Sequence, residues 1–173
     1  MACTLTTGRT LPCKDAVGGL SKVFLCDYDT LGALTITDGV LTAIVGTPDL
    51  FEYDIKGSSS LEQTITTSRD NGTTFYEQTL TLVLTKLDSD TQVELQSVIT
   101  GRPHAFVLDN NGNYLALGLT RGCDVTGGTI SSGAGLGDMN GYSLTIVGQE
   151  PLMATFVTAS IVINNTDATQ IQA

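Results

Sequence analysis

The stretch from Ser58 to Gly101 decides the fold of this chain. It reads Ser58-Ser-Ser-Leu-Glu-Gln-Thr-Ile-Thr-Thr-Ser-Arg69, then Asp70-Asn71-Gly72, then Thr73-Thr-Phe-Tyr-Glu-Gln-Thr-Leu-Thr-Leu-Val-Leu-Thr-Lys-Leu87, then a polar-capped segment ending at Gly101. A two-residue type I′ turn favours Asn-Gly because both central residues need a positive φ, and β-branched and aromatic residues fill both flanks. The stretch predicts one long β-hairpin followed by one helix.

The two faces of this hairpin differ in chemistry. With Asn71-Gly72 as the turn, Gln63 is expected opposite Leu80, and Leu61 and Ile65 then share the face that points to a core. The other face carries two glutamates and a row of threonines: Glu62, Thr64, Thr66, Glu77, Thr79 and Thr81. The sequence therefore predicts a hairpin with one apolar face and one polar, acidic face.

The hairpin is longer than an ordinary one. Each predicted arm has about eleven residues and, at about 3.3 Å per residue, extends about 35 Å. A compact domain of 173 residues would leave part of both arms uncovered. We therefore expect another polypeptide to pair with this sheet.

Composition and charge narrow the class of protein. The chain has 8 Lys and Arg residues against 18 Asp and Glu residues, a net charge of −10, so it has no basic patch to hold nucleic acid by counterion release. Threonine occurs 27 times and glycine 19 times, and tryptophan is absent. This composition favours a mostly-β protein of one domain, or of one domain with appended arms.

The sequence shows neither the pattern of a targeting signal nor that of a metal-binding motif. The start of the chain does not have the form of a secretory signal, and no segment is apolar for long enough to span a bilayer, which predicts a cytoplasmic protein without a membrane partner. The four cysteines include no C-x-x-C pair and the chain has one histidine, His104, so no metal site is expected. Free thiols are favoured over disulfides in a reducing compartment.

The search for a catalytic site also gives a negative prediction. No Ser, Cys or Thr lies in a nucleophile motif with a base, and no carboxylates have the spacing of an acid–base pair, so we expect no enzyme, catalytic residue or cofactor. The segment Asp109-Asn-Asn-Gly-Asn113 lacks the carboxylates of a calcium loop and predicts a hairpin turn. Gly127 to Gly141 lacks the spacing of a phosphate loop and predicts a long flexible loop.

The chain divides into three parts. Residues 1–20 have little periodicity and predict an N-terminal arm, residues 21–158 a β-sandwich or barrel, and residues 159–173 a C-terminal tail, in which 160–163 could add a short strand. Within the domain, the capping-box spacing of Ser89 and Gln92 predicts a helix at about 89–100 that packs on the sheet.

The body of the chain, about residues 21 to 157, resembles bacteriophage tail tube proteins and their relatives in contractile injection and type VI secretion machines. The resemblance rests on the threonine-rich hairpin, on the helix directly after it (Asp88 to Thr100), and on a late strand introduced by a glycine loop. That last segment reads Gly135-Leu-Gly-Asp-Met-Asn-Gly-Tyr-Ser-Leu-Thr-Ile-Val-Gly-Gln-Glu150.

The resemblance implies a virion structural protein of the phage tail, assembled in the host cytoplasm. Such subunits form rings, commonly hexamers, that stack into a tube, contact other tail proteins, and let viral DNA pass without binding it. The polar residues of the hairpin named above would then line the lumen. Two other classes stay open: another phage structural protein (neck, tail terminator or capsid decoration), and a monomeric β-sandwich binding module whose polar hairpin face is simply solvated.

Overall fold

The computed structural model describes residues 7–11, 13–55 and 58–166. Parts of the predicted arm (1–6 and 12) and of the predicted tail (167–173) lie outside the described residues. The described residues form eleven strands and two helices. In chain order these are β1 (Leu20–Cys26), β2 (Leu34–Thr37), β3 (Val40–Ile44), β4 (Phe51–Asp54), β5 (Ser60–Ser68), β6 (Thr73–Thr85), α1 (Ser89–Thr100), β7 (His104–Asp109), β8 (Tyr114–Leu117), β9 (Asp124–Ser131), β10 (Gly141–Glu150), β11 (Thr155–Val157) and α2 (Ala159–Asn165).

The strands form two sheets. One has seven strands in the order β2-β3-β11-β8-β7-β1-β4, and the other has four in the order β5-β6-β10-β9. All pairs are antiparallel except β11 with β3. The expected mostly-β sandwich with a flanking helix is confirmed, whereas the barrel alternative is wrong, because the strands described form two open sheets.

The main core lies between the two sheets. Alternate residues of β6 and β10, such as Leu82 and Ile146, are fully buried there, and Val23 and Val107 meet them from the seven-stranded sheet. Leu95 is the one buried residue of α1 and joins the same cluster. Burial of these side chains from water is the main force that holds the sheets together.

A second core covers the opposite face of the seven-stranded sheet. Phe24 and Phe106 point to this side and contact a cluster that includes Ile161 and Val162 of α2. The central strands are therefore covered on both faces, and β1 is buried continuously from Val23 to Cys26. Strands covered on both faces read as continuous apolar runs, as this one does.

The long hairpin forms, but with a different register from the predicted one. Ser68 pairs with Thr73 and Gln63 with Gln78, so the connection is a four-residue loop, 69–72, and not a two-residue turn. Gly72 has a positive φ of 62°, while the Oγ of Ser68 accepts the N–H of Asn71 at 3.3 Å. The pairing shift is two residues, and a shift of two leaves every side chain on its predicted face.

The predicted loop at 127–141 is only partly a loop. Its first residues belong to β9, which pairs with β10 and forms the edge of the four-stranded sheet. A Cβ on Gly128 would lie 2.6 Å from the carbonyl oxygen of Ser143. Glycine at this position therefore permits the close approach of two strands and does not interrupt one.

The C-terminal part of the chain contains a second helix that the sequence did not predict. Residues of the predicted tail form α2, and the stretch 160–163, considered as a short strand, is helical. The reason is packing, because Ile161 and Val162 fill the second core and burial outweighs the modest helix propensity of β-branched residues.

Helix α1 has the predicted bounds, but its N-cap is Asp88, one residue before the predicted cap.

The described part of the predicted arm has no regular secondary structure. Residues 7–11 and 13–19 are exposed, and the first fixed contacts are made by Val17 and Gly18. The side chain of Asn111 accepts the N–H of Val17 and donates to its carbonyl oxygen. The arm is therefore anchored at its C-terminal end, on the turn between β7 and β8.

Candidate functional site

The candidate site is the outer face of the four-stranded sheet. In β6 the buried residues Leu80, Leu82 and Leu84 alternate with residues that point away from the core. The same alternation in β10 places three half-buried residues and the exposed Gln149 between buried ones. Because successive side chains of a strand point to opposite faces, the outer side chains of three neighbouring strands form one surface.

All six side chains predicted for the lumen lie on this face. Glu62 is directly opposite Thr79, and Thr64 is directly opposite Glu77. The three residues on β5 are exposed, whereas the three on β6 are half-buried because β6 has a neighbouring strand on each side. The structure therefore brings the six residues together on one face.

Strand β10 extends the surface with polar residues that the sequence analysis did not assign to it. Thr145 lies opposite Thr81, and Gln149 lies opposite Glu77. The amide Nε2 of Gln149 donates a hydrogen bond to Oε2 of Glu77 at 3.2 Å. We call this surface the threonine face. Its polar residues are Glu62, Thr64, Thr66, Glu77, Thr79, Thr81, Ser143, Thr145 and Gln149, and the apolar Phe75, Val83 and Val147 lie among them on the same side.

The charge of this sheet has one sign. Strands β5, β6, β9 and β10, all of whose residues are described, contain no lysine and no arginine. Their acidic residues on the outer side include Glu62 and Glu77. A surface of carboxylates and hydroxyl groups attracts water and repels phosphate groups.

The edge of the same sheet is unprotected. Strand β5 pairs with β6 on one side, and no strand of the described ranges pairs with its other side. Its nine residues contain no proline and no lysine, and the pairing with β6 has no bulge. Natural sheets use those devices to keep edges from pairing with other chains, so β5 is open to such pairing.

The hairpin also extends beyond its neighbour. The last pair between β6 and β10 joins Tyr76 to Glu150, so the tip of the hairpin past Tyr76 has no third strand beside it. Ile65, opposite Tyr76, points to the core side of the sheet, yet its side chain is 61% exposed. An apolar residue on the core side of a sheet is normally covered, and here the described chain leaves it open.

A buried polar network supports the base of the hairpin. Oε1 of Gln78 accepts the N–H of Gly118 at 3.0 Å, and its Nε2 donates to the carbonyl of Leu152 at 3.1 Å. Glu150, also buried, accepts the N–H groups of Thr120 and Arg121. The polar atoms of these two side chains are hydrogen-bonded to backbone groups, and these bonds fix the neighbouring loops.

His104 has a similar structural role. Its Nε2 accepts the N–H of Asp29 at 3.3 Å, so Nδ1 carries the proton and donates to the carbonyl of Gly118 at 2.6 Å. The ring stacks on Tyr28. Burial lowers the pKa of His104 below its ordinary value, although the hydrogen bond to Gly118 opposes the shift. The neutral ring ties together two loops at one end of the seven-stranded sheet.

The remaining candidates for chemistry are also occupied or buried. Burial raises the pKa of Cys26 and of Cys123 to about 12, so neither thiol is a ready nucleophile. The carboxylate of Asp109 accepts the N–H groups of Asn111 and Asn113 and so closes the hairpin turn. Within residues 7–11, 13–55 and 58–166, no three His, Cys, Asp or Glu side chains come together to hold a metal ion.

The comparisons with known proteins give no relative for this chain. Neither the models of known families, nor the curated proteins, nor the solved structures contain a match. Of the helices in the part of the chain that the structure describes, none has the length and apolar character that crossing a membrane requires.

Proposed function

We propose that this protein is a tail tube subunit of a bacteriophage, a virion structural protein that assembles into stacked rings around a channel for DNA. The observation that carries the proposal is the combination of two features on one sheet. The edge strand β5 is unpaired within the described chain, and the adjoining threonine face has no cation. Assembly through the edge would place copies of that face side by side.

The edge supports assembly for an energetic reason. A nine-residue strand leaves a row of backbone N–H and C=O groups that a neighbouring chain can pair with. A heterologous contact of this kind closes into a ring when the rotation between copies allows it. The open edge therefore favours association of copies over a single subunit, and a ring is one of the assemblies it allows.

The overhanging tip supports the same conclusion. Ile65 would be covered if a neighbouring copy lay against the core side of the hairpin, and burying the exposed 61% of this residue contributes about 1 to 2 kcal/mol. The four-residue loop at 69–72 would then reach past the neighbour's sheet. A hairpin that is only half covered in one subunit becomes a fully covered element in a ring.

The threonine face suits the inside of a conduit. A channel that passes DNA must not bind it, and binding to phosphates depends on Lys and Arg. Glu62 and Glu77, repeated in each subunit, would repel the phosphates, while the threonine hydroxyls would keep the wall hydrated. The function would be passive, with no catalytic residue and no cofactor.

Electron microscopy of the purified protein tests the proposal. We expect rings and stacked rings, and we expect Ile65→Asp to reduce ring formation. Ile163→Asp is the matched control, because Ile163 is 63% exposed and lies on α2, beyond the seven-stranded sheet. Particles of about one chain's mass, 18.1 kDa, at all concentrations would contradict the proposal and favour a monomeric binding module. Rings that never stack would favour a neck, terminator or decoration protein.

A further inference from the structure

The loop between β9 and β10, residues 132–140, presents one apolar side chain on a fixed turn. Leu136 is fully exposed at its tip. The turn is held by Asp138, whose carboxylate accepts the N–H groups of Ala134 and Gly135. Asn140 ties the base of the loop to the chain after β6 by bonding Lys86 and Leu87. Leu136 is therefore a knob on a well-held loop.

A small cavity lies at the other end of the molecule. Apolar side chains from β2, from β8 and the chain after it, and from the segment before β11 line it, together with Gln78 on β6, Glu150 on β10, Thr120 and Thr155. The apolar members are Leu34, Ile36, Ala116, Leu119, Leu152 and Met153. Ile36, Leu152 and Met153 are each more than one-third exposed, so the cavity opens to the surface.

The size of the cavity restricts its occupant. It holds about 30 Å³, enough for about two water molecules, whereas small-molecule sites occupy roughly 300 to 1,000 Å³. Two of its polar residues, Gln78 and Glu150, already bond to backbone groups of the 118–121 loop. The cavity therefore fits the end of one apolar side chain, with the half-exposed Met153 adapting around it.

The knob and the cavity lie at opposite ends of one strand. The knob loop leads directly into Gly141, the first residue of β10, and Glu150, the last residue of β10, lines the cavity. Ten residues of strand span about 30 Å. Two different surfaces at opposite ends of a molecule make a head-to-tail contact between copies, which repeats without closing on a pair.

The exposed charges beside the two surfaces have opposite signs, while the carboxylate of Glu150 in the cavity lining is buried and accepts the N–H groups of Thr120 and Arg121. Asp138 is exposed two residues after Leu136 and is a carboxylate whose pKa is lowered by the N–H groups of Gly135 and Ala134. Arg121, next to the cavity residue Thr120, is exposed and belongs to none of the ion pairs among the described residues. With Leu136 seated, Asp138 would approach Arg121 of the next copy.

We propose that Leu136 of one copy inserts into the cavity of a second copy, with Asp138 beside Arg121, to form a head-to-tail contact along β10. In the rings of the proposed function, this contact joins one ring to the next. That role rests on the proposed function, whereas the contact between two copies does not depend on it. The partner is a second copy of this chain because the exposed apolar end of Leu136 suits the apolar lining of the cavity and the exposed charges beside them have opposite signs.

Disulfide trapping tests the contact directly. Leu136→Cys and Met153→Cys are made in separate chains, both with Cys3→Ser and Cys13→Ser, and are mixed under mild oxidation. We expect a cross-linked dimer from this mixture and little from Leu136→Cys mixed with Val93→Cys. Val93 is 64% exposed on α1, whose start bonds to Tyr142 at the knob end. No cross-link, or equal cross-linking in both mixtures, overturns the proposal.

Microscopy of two knob variants separates this inference from the proposed function. Leu136→Ser should weaken stacking about tenfold, since burial of the two methyl groups at the end of the leucine side chain contributes about that factor, while rings persist; Leu136→Met should still stack. If Leu136→Ser stacks like the parent, the knob contact is refuted and the rings still support a tube. If the parent forms no rings, the proposed tube function is contradicted, and the cross-linking experiment alone decides whether the head-to-tail contact forms.

Discussion

Gln149 on β10 donates a hydrogen bond to the carboxylate of Glu77 on β6. The two residues lie directly opposite each other in the ladder, so the bond joins two strands on the outer side of the sheet, away from the core. It holds one of the two glutamates of the threonine face in place. The polar surface is thus a shared property of three strands and not of the hairpin alone.

The hairpin loop depends on the conformation of Gly72. Its φ is 62°, and a Cβ built there would contact nothing within 4 Å. Gly72→Val should therefore destabilise the fold by about 1 to 2 kcal/mol through backbone strain alone. Urea unfolding measures the change. Gly127→Val is the control, since Gly127 has equal space and no positive φ; equal stability of the two variants would contradict the assignment of strain to Gly72.

Neighbouring residues of β6 should respond very differently to truncation. Leu82 is fully buried between the sheets, whereas Thr81 points outward and is half-buried. We expect Leu82→Ala to cost about 2 to 5 kcal/mol and Thr81→Ala less than about 1 kcal/mol. Thermal or chemical unfolding of both variants checks which face is the core. Similar losses in the two would mean that the register is shifted by one residue.

The stability of the fold should decrease in mild acid because of His104. Its pKa is lowered from 6.5 by burial, so above pH 6.5 the ring is neutral in both the folded and the unfolded chain and the full stability is present. As the pH falls below 6.5, the ring of His104 is protonated first in the unfolded chain. The free energy of unfolding therefore decreases until the pH has fallen below the lowered pKa of the folded protein. Protonated Nε2 could not accept the N–H of Asp29. Glu150 and Asp29, which favour the charged ring, and Arg102, which opposes it, face the same site.

Unfolding free energies of the parent and of His104→Gln, measured between pH 8 and pH 5, test this prediction. We expect part of the parent's loss in this range to be absent in the variant, because glutamine does not titrate. Identical pH profiles would show that another group is responsible.

The exposed start of the chain should contribute to assembly and not to folding. Residues 7–11 and 13–16 make none of the side-chain hydrogen bonds found in the described part of the chain, and Leu11 is 98% exposed. We predict that the arm becomes ordered on a neighbouring subunit. Deleting residues 1–16 should weaken assembly and leave the circular dichroism of the strands unchanged, while loss of the strand signal would show that the arm belongs to the fold.

The sequence predicts the alternation of faces better than it predicts the turns. Asp38-Gly39 forms a two-residue turn, with φ of 52° and 79° and Thr37 opposite Val40. Asn71-Gly72 looks equivalent in sequence, but only its glycine has a positive φ. Ser68 supplies a side-chain partner for the loop, and such a local competitor outweighs the intrinsic preference of Asn-Gly.

The elements that the sequence did not predict are those whose stability comes from distant partners. Helix α2 is short, and its apolar residues meet Phe106 from a strand more than fifty positions earlier. Strand β9 contains two adjacent glycines, Gly127 and Gly128, which locally favour a loop. Pairing with β10 decides its structure. Neither the packing of α2 on Phe106 nor the pairing of β9 with β10 leaves a pattern in the local sequence. The alternation of buried and outward-facing residues in β6 does leave such a pattern.

Genome ejection from virions carrying Glu62→Lys and Glu77→Lys is the most direct test of the channel. Both residues lie on the threonine face without core contacts, so tails should assemble normally by microscopy. Repeated around a ring, the lysines would bind phosphates and slow ejection at low salt, with recovery at high salt as the contacts are screened. Glu62→Gln with Glu77→Gln, which removes the charge without adding cations, should eject at close to the parent's rate. Ejection of the lysine variant as fast as the parent at low salt, or both residues located on the outside of the particle, would contradict the assignment of this face to a DNA channel.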